Sequence, residues 1–193
     1  VINNCNYYLS HVDTTLKKRN EPIFQKEYAA VKAFRAWTYL QLVTTYGEVP
    51  FITEPILTES AANKVYPMYT IKAVCDYFID DLTPYVNVEL PAYGPVSGLD
   101  SKKFFLPVRV VLGDLCLWGE RYREAAGYYR DYLANETAPV TTGLNQASWR
   151  SSESTFALWD NNFAVLFNNM GNQEIVSYIP MENSERDKDY SQL

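Results

Sequence analysis

The chain has one histidine, His11, and three cysteines, Cys5, Cys75 and Cys116, in 193 residues. The cysteines are odd in number, widely spaced and contain no C-x-x-C pair, which argues against a disulfide framework or a metal knuckle. One imidazole makes no H-E-x-x-H zinc helix, and the ligands for zinc chemistry are missing. Walker and dinucleotide-type glycine motifs are missing too, and Gly94-Pro95-Val96-Ser97-Gly98 has the wrong spacing for a nucleophile elbow. No cofactor is expected. There is no basic run: 17 Lys and Arg stand against 23 Asp and Glu, a formal charge of −6, which argues against nucleic acid or an anionic membrane as the main partner. No stretch approaches the roughly eighteen consecutive apolar residues of a membrane span.

With 47% hydrophobic residues, the chain can bury a substantial core as one domain, or as one domain with an appendage. Helical periodicity dominates. Ile2, Cys5, Tyr8, Leu9, Val12 and Leu16 form a stripe that predicts a helix over 2–19, with Lys17 to Arg19 suiting its C-terminal dipole. A second helix is predicted from about Pro22 to Tyr46. In it Ala29, Ala30, Ala33 and Ala36 allow close helix approach, and Phe34, Trp37, Leu40 and Val43 supply bulk. Lys32, Arg35, Thr38, Gln41 and Thr45 leave a narrow wet stripe. Gly47 suits the left-handed position that ends helices, and Pro50 forbids resumption.

A long connection covers 48–69. Thr70 is then the expected N-cap of a helix with Ile71, Val74, Cys75, Phe78, Ile79 and Leu82 on one face and Asp76, Asp80 and Asp81 on the other, ended by Pro84. Residues 88–103 read as loop. A helical hairpin follows over 107–118 and 122–133. Its Leu112, Gly113, Cys116, Tyr122, Ala125, Tyr129 and Tyr132 match the small and large positions of one tetratricopeptide unit, with the turn glycine, Gly119, one position early. Cys75 and Cys116 fall on apolar faces as small core residues. Residues 135–155 read as loop, 156–170 as a weak helix, 173–179 as a short strand and 182–193 as a polar tail. The expected fold is all-α: helical hairpins of tetratricopeptide-like type with long loops and a short strand near the C-terminus.

The run from Ala33 to Phe51, AFRAWTYLQLVTTYGEVPF, resembles the RA-x-x-Y-x-x-L-V-x-x-YG-x-VP-[LF] signature of the SusD/RagB family of nutrient-binding lipoproteins. Other segments fall in the family's order: the Asn-rich start Asn3-Asn4-Cys5-Asn6, Phe78-Ile79-Asp80-Asp81-Leu82 for its I-x-x-DL element, the helical hairpin, and QEIVSYI over 173–179 for its E-[IV] strand. The resemblance covers most of the chain. It implies a surface lipoprotein of the outer membrane that captures an oligosaccharide or other nutrient and passes it to a SusC-like TonB-dependent transporter, without bond cleavage. Whole family members are more than twice as long. The resemblance therefore implies that residues 1–181 belong to the N-terminal helical domain, that 182–193 lead toward a C-terminal half, and that membrane attachment is only through a lipid anchor outside this chain.

A sugar binder sets flat aromatic side chains against apolar ring faces and uses Asn, Asp, Arg or Gln for the hydroxyls. Aromatics in predicted loops are the candidates: Tyr66, Tyr93 and Trp149, with Asn63 and Arg150 as polar neighbours. Each of the three aromatics has the alternative role of anchoring its loop to the core. Trp37, Trp118 and Trp159 read as helix-packing residues, and His11 as a surface or satisfied residue. Two other functions compete. One is a tetratricopeptide-like scaffold for a protein partner. The other is an all-α glycoside-processing enzyme using carboxylates such as Asp76, Asp80, Asp81 or Asp160, although Asp76 and Asp80 lie one helical turn apart on a polar face.

Overall fold

A computed structural model of the chain describes residues 1–96, 99–135, 150–152, 155–157 and 176–177. Among these it is mainly helical, with a few short strands. Helix α1 (Ile2–His11) is followed by a ribbon of β1 (Lys17–Lys18) against β2 (Glu21–Pro22), and then by α2 (Gln25–Tyr46). Strand β3 (Glu48–Pro50), the short helix α3 (Glu59–Ala62) and strand β4 (Met68–Thr70) lead into α4 (Ile71–Leu82). A ribbon of β5 (Pro95–Val96) and β6 (Leu99–Asp100) precedes α5 (Val108–Trp118) and α6 (Tyr122–Asn135). Strands β7 (Arg150–Ser152) and β8 (Thr155–Ala157) make one more hairpin. Every strand pairing described is antiparallel and two-stranded.

Helix α2 is the hub, packing on α1, α4 and α5, while α4 packs on α5 and α5 on α6. Its alanines make this possible: Ala29, Ala33 and Ala36 are buried and let neighbouring backbones come close, beside Tyr39, Leu40 and Val43. The facing side chains are those the periodicity of α4 predicts, Val74, Cys75, Phe78, Ile79 and Leu82, joined by Val111, Leu112, Leu115 and Cys116 of α5. Thr70 caps α4 through an Ala73 N–H bond at 3.4 Å. Cys75 and Cys116 are fully buried core residues.

Several expectations need correction. The first helix ends at His11, not at Arg19. Asp13 accepts from both the Thr15 amide and hydroxyl, at 2.8 and 2.6 Å, and this local turn competes with helical bonding among the β-branched residues around it. Arg19 and Asn20 then take positive φ, 52° and 68°, the geometry of a two-residue hairpin turn, so Lys17 and Pro22 pair as strands and α2 starts at Gln25. Lys32 and Arg35 do not lie on a wet stripe; both are buried. Phe34 turns partly outward and stacks on Trp37, with ring centroids 6.1 Å apart. Trp118 is half-exposed instead of packed. Residues 150–152 are strand where loop is predicted, and 155–157 are strand where a helix is predicted to begin at 156. Of the predicted strand over 173–179 only Val176 and Ser177 are described, without regular structure. Trp159, Asp160 and the tail 182–193 lie outside the described residues.

The α5–α6 turn explains the early glycine. Gly119 has an ordinary φ of −82°, and it is Glu120 that takes the positive φ of 63°. What Gly119 provides is room: a Cβ there would sit 3.0 Å from the Leu115 carbonyl oxygen and 3.2 Å from Cys75 Cβ of α4. Gly113 does the same for α6, since the Tyr129 ring covers it so closely that a Cβ would clash at 2.5 Å.

Candidate functional site

The segment after α2 is built to be held. Gly47, at φ 80° and ψ −50°, closes the helix with its N–H on the Val43 carbonyl at 2.8 Å. Few residues other than glycine tolerate this backbone. The chain turns directly into β3, whose Glu48, Val49 and Pro50 pair with Thr70, Tyr69 and Met68. Phe51 is buried and stacks on Tyr69 at 4.1 Å, with Tyr39, Tyr77 and Phe78 around it. Beyond Phe51 the main chain is gripped by side chains. Asn3 exchanges two bonds with Ile56, and Asn6 donates to the carbonyls of Ile52 and Glu54 at 2.9 and 3.2 Å.

Asn6 also starts a buried polar chain. Its Oδ1 accepts from Arg35 at 3.0 Å, Arg35 reaches one oxygen of Asp81 at 3.3 Å, and Lys32 holds the other oxygen. Two cations thus share one carboxylate, and the surplus charge is spread over rings: Lys32 lies over Tyr28 and Tyr85, and Arg35 over Phe78, at 5.2 to 5.7 Å. Asp81 is therefore a structural counter-ion. Asp76 pairs with Lys72 at 2.9 Å on the surface and Asp80 is exposed. His11 is exposed, stacked on Tyr7 at 4.1 Å, with Nδ1 beside the Tyr7 carbonyl. Among the described residues no group of three or more His, Cys, Asp and Glu converges as a metal site would, and no helix is long and apolar enough to cross a membrane.

The predicted binding residues fall in separate places. Tyr66 and Asn63 share the turn around α3. Tyr66 is half-buried, donates its phenol proton to the Ala61 carbonyl at 2.8 Å, and carries Lys64 over its ring; Asn63 is exposed at the helix C-cap. Tyr93 lies in the loop after α4 and is 63% exposed. Its amide donates to Ser101 Oγ at 2.8 Å and its hydroxyl to Glu27 Oε1 at 2.7 Å. Burial of that hydroxyl and the neighbouring Glu27 carboxylate push its pKa up to about 12. The ring is held at its hydroxyl end and lies tilted against Phe105, with ring centroids 6.2 Å apart. None of these contacts joins Tyr93 to the turn that carries Tyr66. Trp149 lies outside the described residues, and Arg150 is described only as backbone in β7.

Two concavities complete the picture. An apolar groove of about 780 Å³ runs between α1, the end of α2 and the 48–56 segment, lined by Ile2, Leu42, Tyr46, Val49, Ile52 and Ile56 among others. A smaller polar cleft of about 250 Å³ lies beside the Tyr93 loop, with Asn87, Glu89, Lys102 and Arg109 in its wall. Sequence reasoning missed these four. The available signal was Lys102 and Lys103 in a loop followed by a cation, Arg109, in a helix first turn that holds no acidic residue.

The chain matches no protein-family model, no curated protein and no solved structure.

Proposed function

We propose that this chain is part of a SusD/RagB-like protein of the outer-membrane surface that binds a glycan or other nutrient and delivers it, unaltered, to a SusC-like TonB-dependent transporter. The observation that carries this reading is the run Arg35–Phe51, in which the signature residues have distinct physical duties. Arg35 holds the buried polar chain, Tyr39 and Phe51 fasten the following segment, and Gly47 makes the turn that Val49 and Pro50 continue as strand. In this reading α5–α6 is a tetratricopeptide-like hairpin, and its exposed tip, Leu117, Trp118 and Tyr122, faces a protein. Anchoring is by lipid. The loop aromatics Tyr66, Tyr93 and Trp149, with Asn63 and Arg150, contribute to ligand binding.

Isothermal titration of the full-length protein against an oligosaccharide panel, together with co-purification of a β-barrel transporter, tests the proposal. Binding without turnover and a co-purifying barrel are expected. No glycan or peptide bound, and no barrel recovered, would overturn it. Replacing Tyr66, Tyr93 or Trp149 singly by Ala is expected to weaken binding by roughly 1–3 kcal/mol where the ring stacks on ligand.

A further inference from the structure

Helix α1 is lightly anchored. It is ten residues long, has no side-chain cap at its start and buries only Cys5 and Asn6, with Ile2 partly covered at the edge of the core. A helix of this length is marginal in water without tertiary support. Residues 52–56 are no better placed, because they form neither helix nor strand. Asn6 donates to the carbonyls of Ile52 and Glu54, and Asn3 both donates to the Ile56 carbonyl and accepts from its amide. From the core side Tyr39 holds Ile52, and Tyr77 meets the Thr53 side chain.

The two pieces depend on each other through Asn6, which is 1% exposed. Arg35 donates to its Oδ1, so Nδ2 is the end left to face residues 52–56. Lifting 52–56 alone would strand that buried amide without an acceptor, which costs more than the bond itself contributes. Lifting α1 alone would take away the side chains that hold the Glu54 and Ile56 backbone. Beneath them nothing need change: Arg35 keeps Asp81, and α2 keeps its packing on α4 and α5. Segments with few buried side chains lie at the low-stability end of a fold, and contiguous, interdependent ones open as one unit.

We propose that α1 and residues 52–56 are a latch that lifts from α2 as one unit while α2, α4 and α5 stay folded, with Asn6 as its catch on Arg35. The apolar groove of about 780 Å³ gives the latch its consequence. Its walls are α1, the end of α2 and the 48–56 segment, so opening dismantles most of it and closing rebuilds it. Entry to the groove is governed by the latch, whatever the protein binds.

Cys5 is the natural reporter. It lies on α1 and is 6% exposed, whereas Cys75 and Cys116 are fully buried in α4 and α5. Burial pushes its thiol above the ordinary range, so it reacts when uncovered. The test is to pulse the full-length protein with iodoacetamide under native conditions and read each cysteine by peptide mass spectrometry. Each rate is divided by that of the urea-unfolded chain to give an opening constant. Amide exchange of the peptide carrying Ile52, whose N–H is held by Tyr39, is read in parallel.

Cys5 is expected to open at least roughly tenfold more often than Cys75 and Cys116, and Ile52 to give the same opening constant as Cys5. Asn6→Ala is expected to raise both by one common factor, roughly tenfold. Three results overturn the latch. Cys5 reacting no faster than the other two cysteines means that α1 opens only with the whole fold. Fast Cys5 with a protected Ile52 amide means that α1 frays alone. Unequal responses to Asn6→Ala mean that the two pieces are not joined there. Should that variant fail to fold, the parent chain decides by the first two comparisons.

Discussion

Tyr39 and Ile52 are joined by two hydrogen bonds through one phenol oxygen, which donates to the Ile52 carbonyl at 2.9 Å and accepts from the Ile52 amide at 2.8 Å. A buried side chain of α2 thereby does for the segment after β3 what a neighbouring strand would do, since both backbone groups need partners away from water. Tyr39→Phe keeps the ring against Phe51 and Phe78 and removes both bonds. A loss of about 1–2 kcal/mol is expected, because the Ile52 amide is left unpaired while its carbonyl keeps the bond from Asn6. The urea midpoint should fall with an unchanged slope. An unaltered midpoint would mean that the phenol is not what holds Ile52.

Asp81 carries the second prediction. With Lys32 on one oxygen and Arg35 on the other, Asp81→Asn leaves two buried cations without their counter-ion. Removing one partner of a buried ion pair costs about 3–5 kcal/mol. Thermal melts should show that loss, and Asp81→Asn combined with Lys32→Met should recover part of it. A single variant that melts like the parent would show that the pairing contributes no stability.

The α5–α6 turn makes a third test with opposite signs at adjacent positions. Glu120→Gly relieves a positive φ and is expected to stabilise by about 0.5–1 kcal/mol. Gly119→Ala pushes a methyl against Cys75 and the Leu115 carbonyl and is expected to destabilise by about 1–3 kcal/mol. Equilibrium unfolding of the two variants settles the pair; a gain at 119 or a loss at 120 would refute the division of labour.

Alkaline stability gives a fourth. The Tyr93 hydroxyl has a model-peptide value of 10.0 and is pushed up to about 12 in the fold by burial and by Glu27. A raised folded pKa on a group that loses a proton means that the unfolded chain ionises first. The contribution is intact below pH 10 and is lost as pH rises from there to about 12. Tyr93→Phe should flatten the fall in unfolding midpoint across that window, and the absorbance titration at the tyrosinate band should lose one of its late-ionising tyrosines, Tyr129 among others remaining. An unchanged slope would show that Tyr93 is not bonded to Glu27 in solution.

Helices whose apolar residues recur on one face were legible in the sequence. α4 follows its stripe from Val74 to Leu82 and starts at the predicted Thr70 cap, and Gly47 carries the expected positive φ. The polar interior was not legible. Lys32 and Arg35 recur at helical spacing, as solvent-facing residues do, and only a carboxylate 46 to 49 residues further along makes their burial tolerable. The end of α1 was misread because a periodic stripe says nothing about a competing local turn at Asp13, although Arg19-Asn20 could have suggested a hairpin. At the candidate site, loop position singled out Tyr93 as an aromatic but not its bond to Glu27, which lies 66 residues away. The cations of the cleft were visible as letters and invisible as neighbours.

The pairing of Glu48 with Thr70 places the exit of α2 directly beside the entry of α4. Between β3 and β4, the part of the excursion beyond the residues held by Asn3, Asn6 and Tyr39 is the one open to replacement. Doubling the length of such a closed excursion costs only about 0.6 kcal/mol in chain entropy. Peptides spliced in near Val65, which is 92% exposed, should leave the helical frame at its original melting point. New surface chemistry can be grafted there without rebuilding the scaffold beneath.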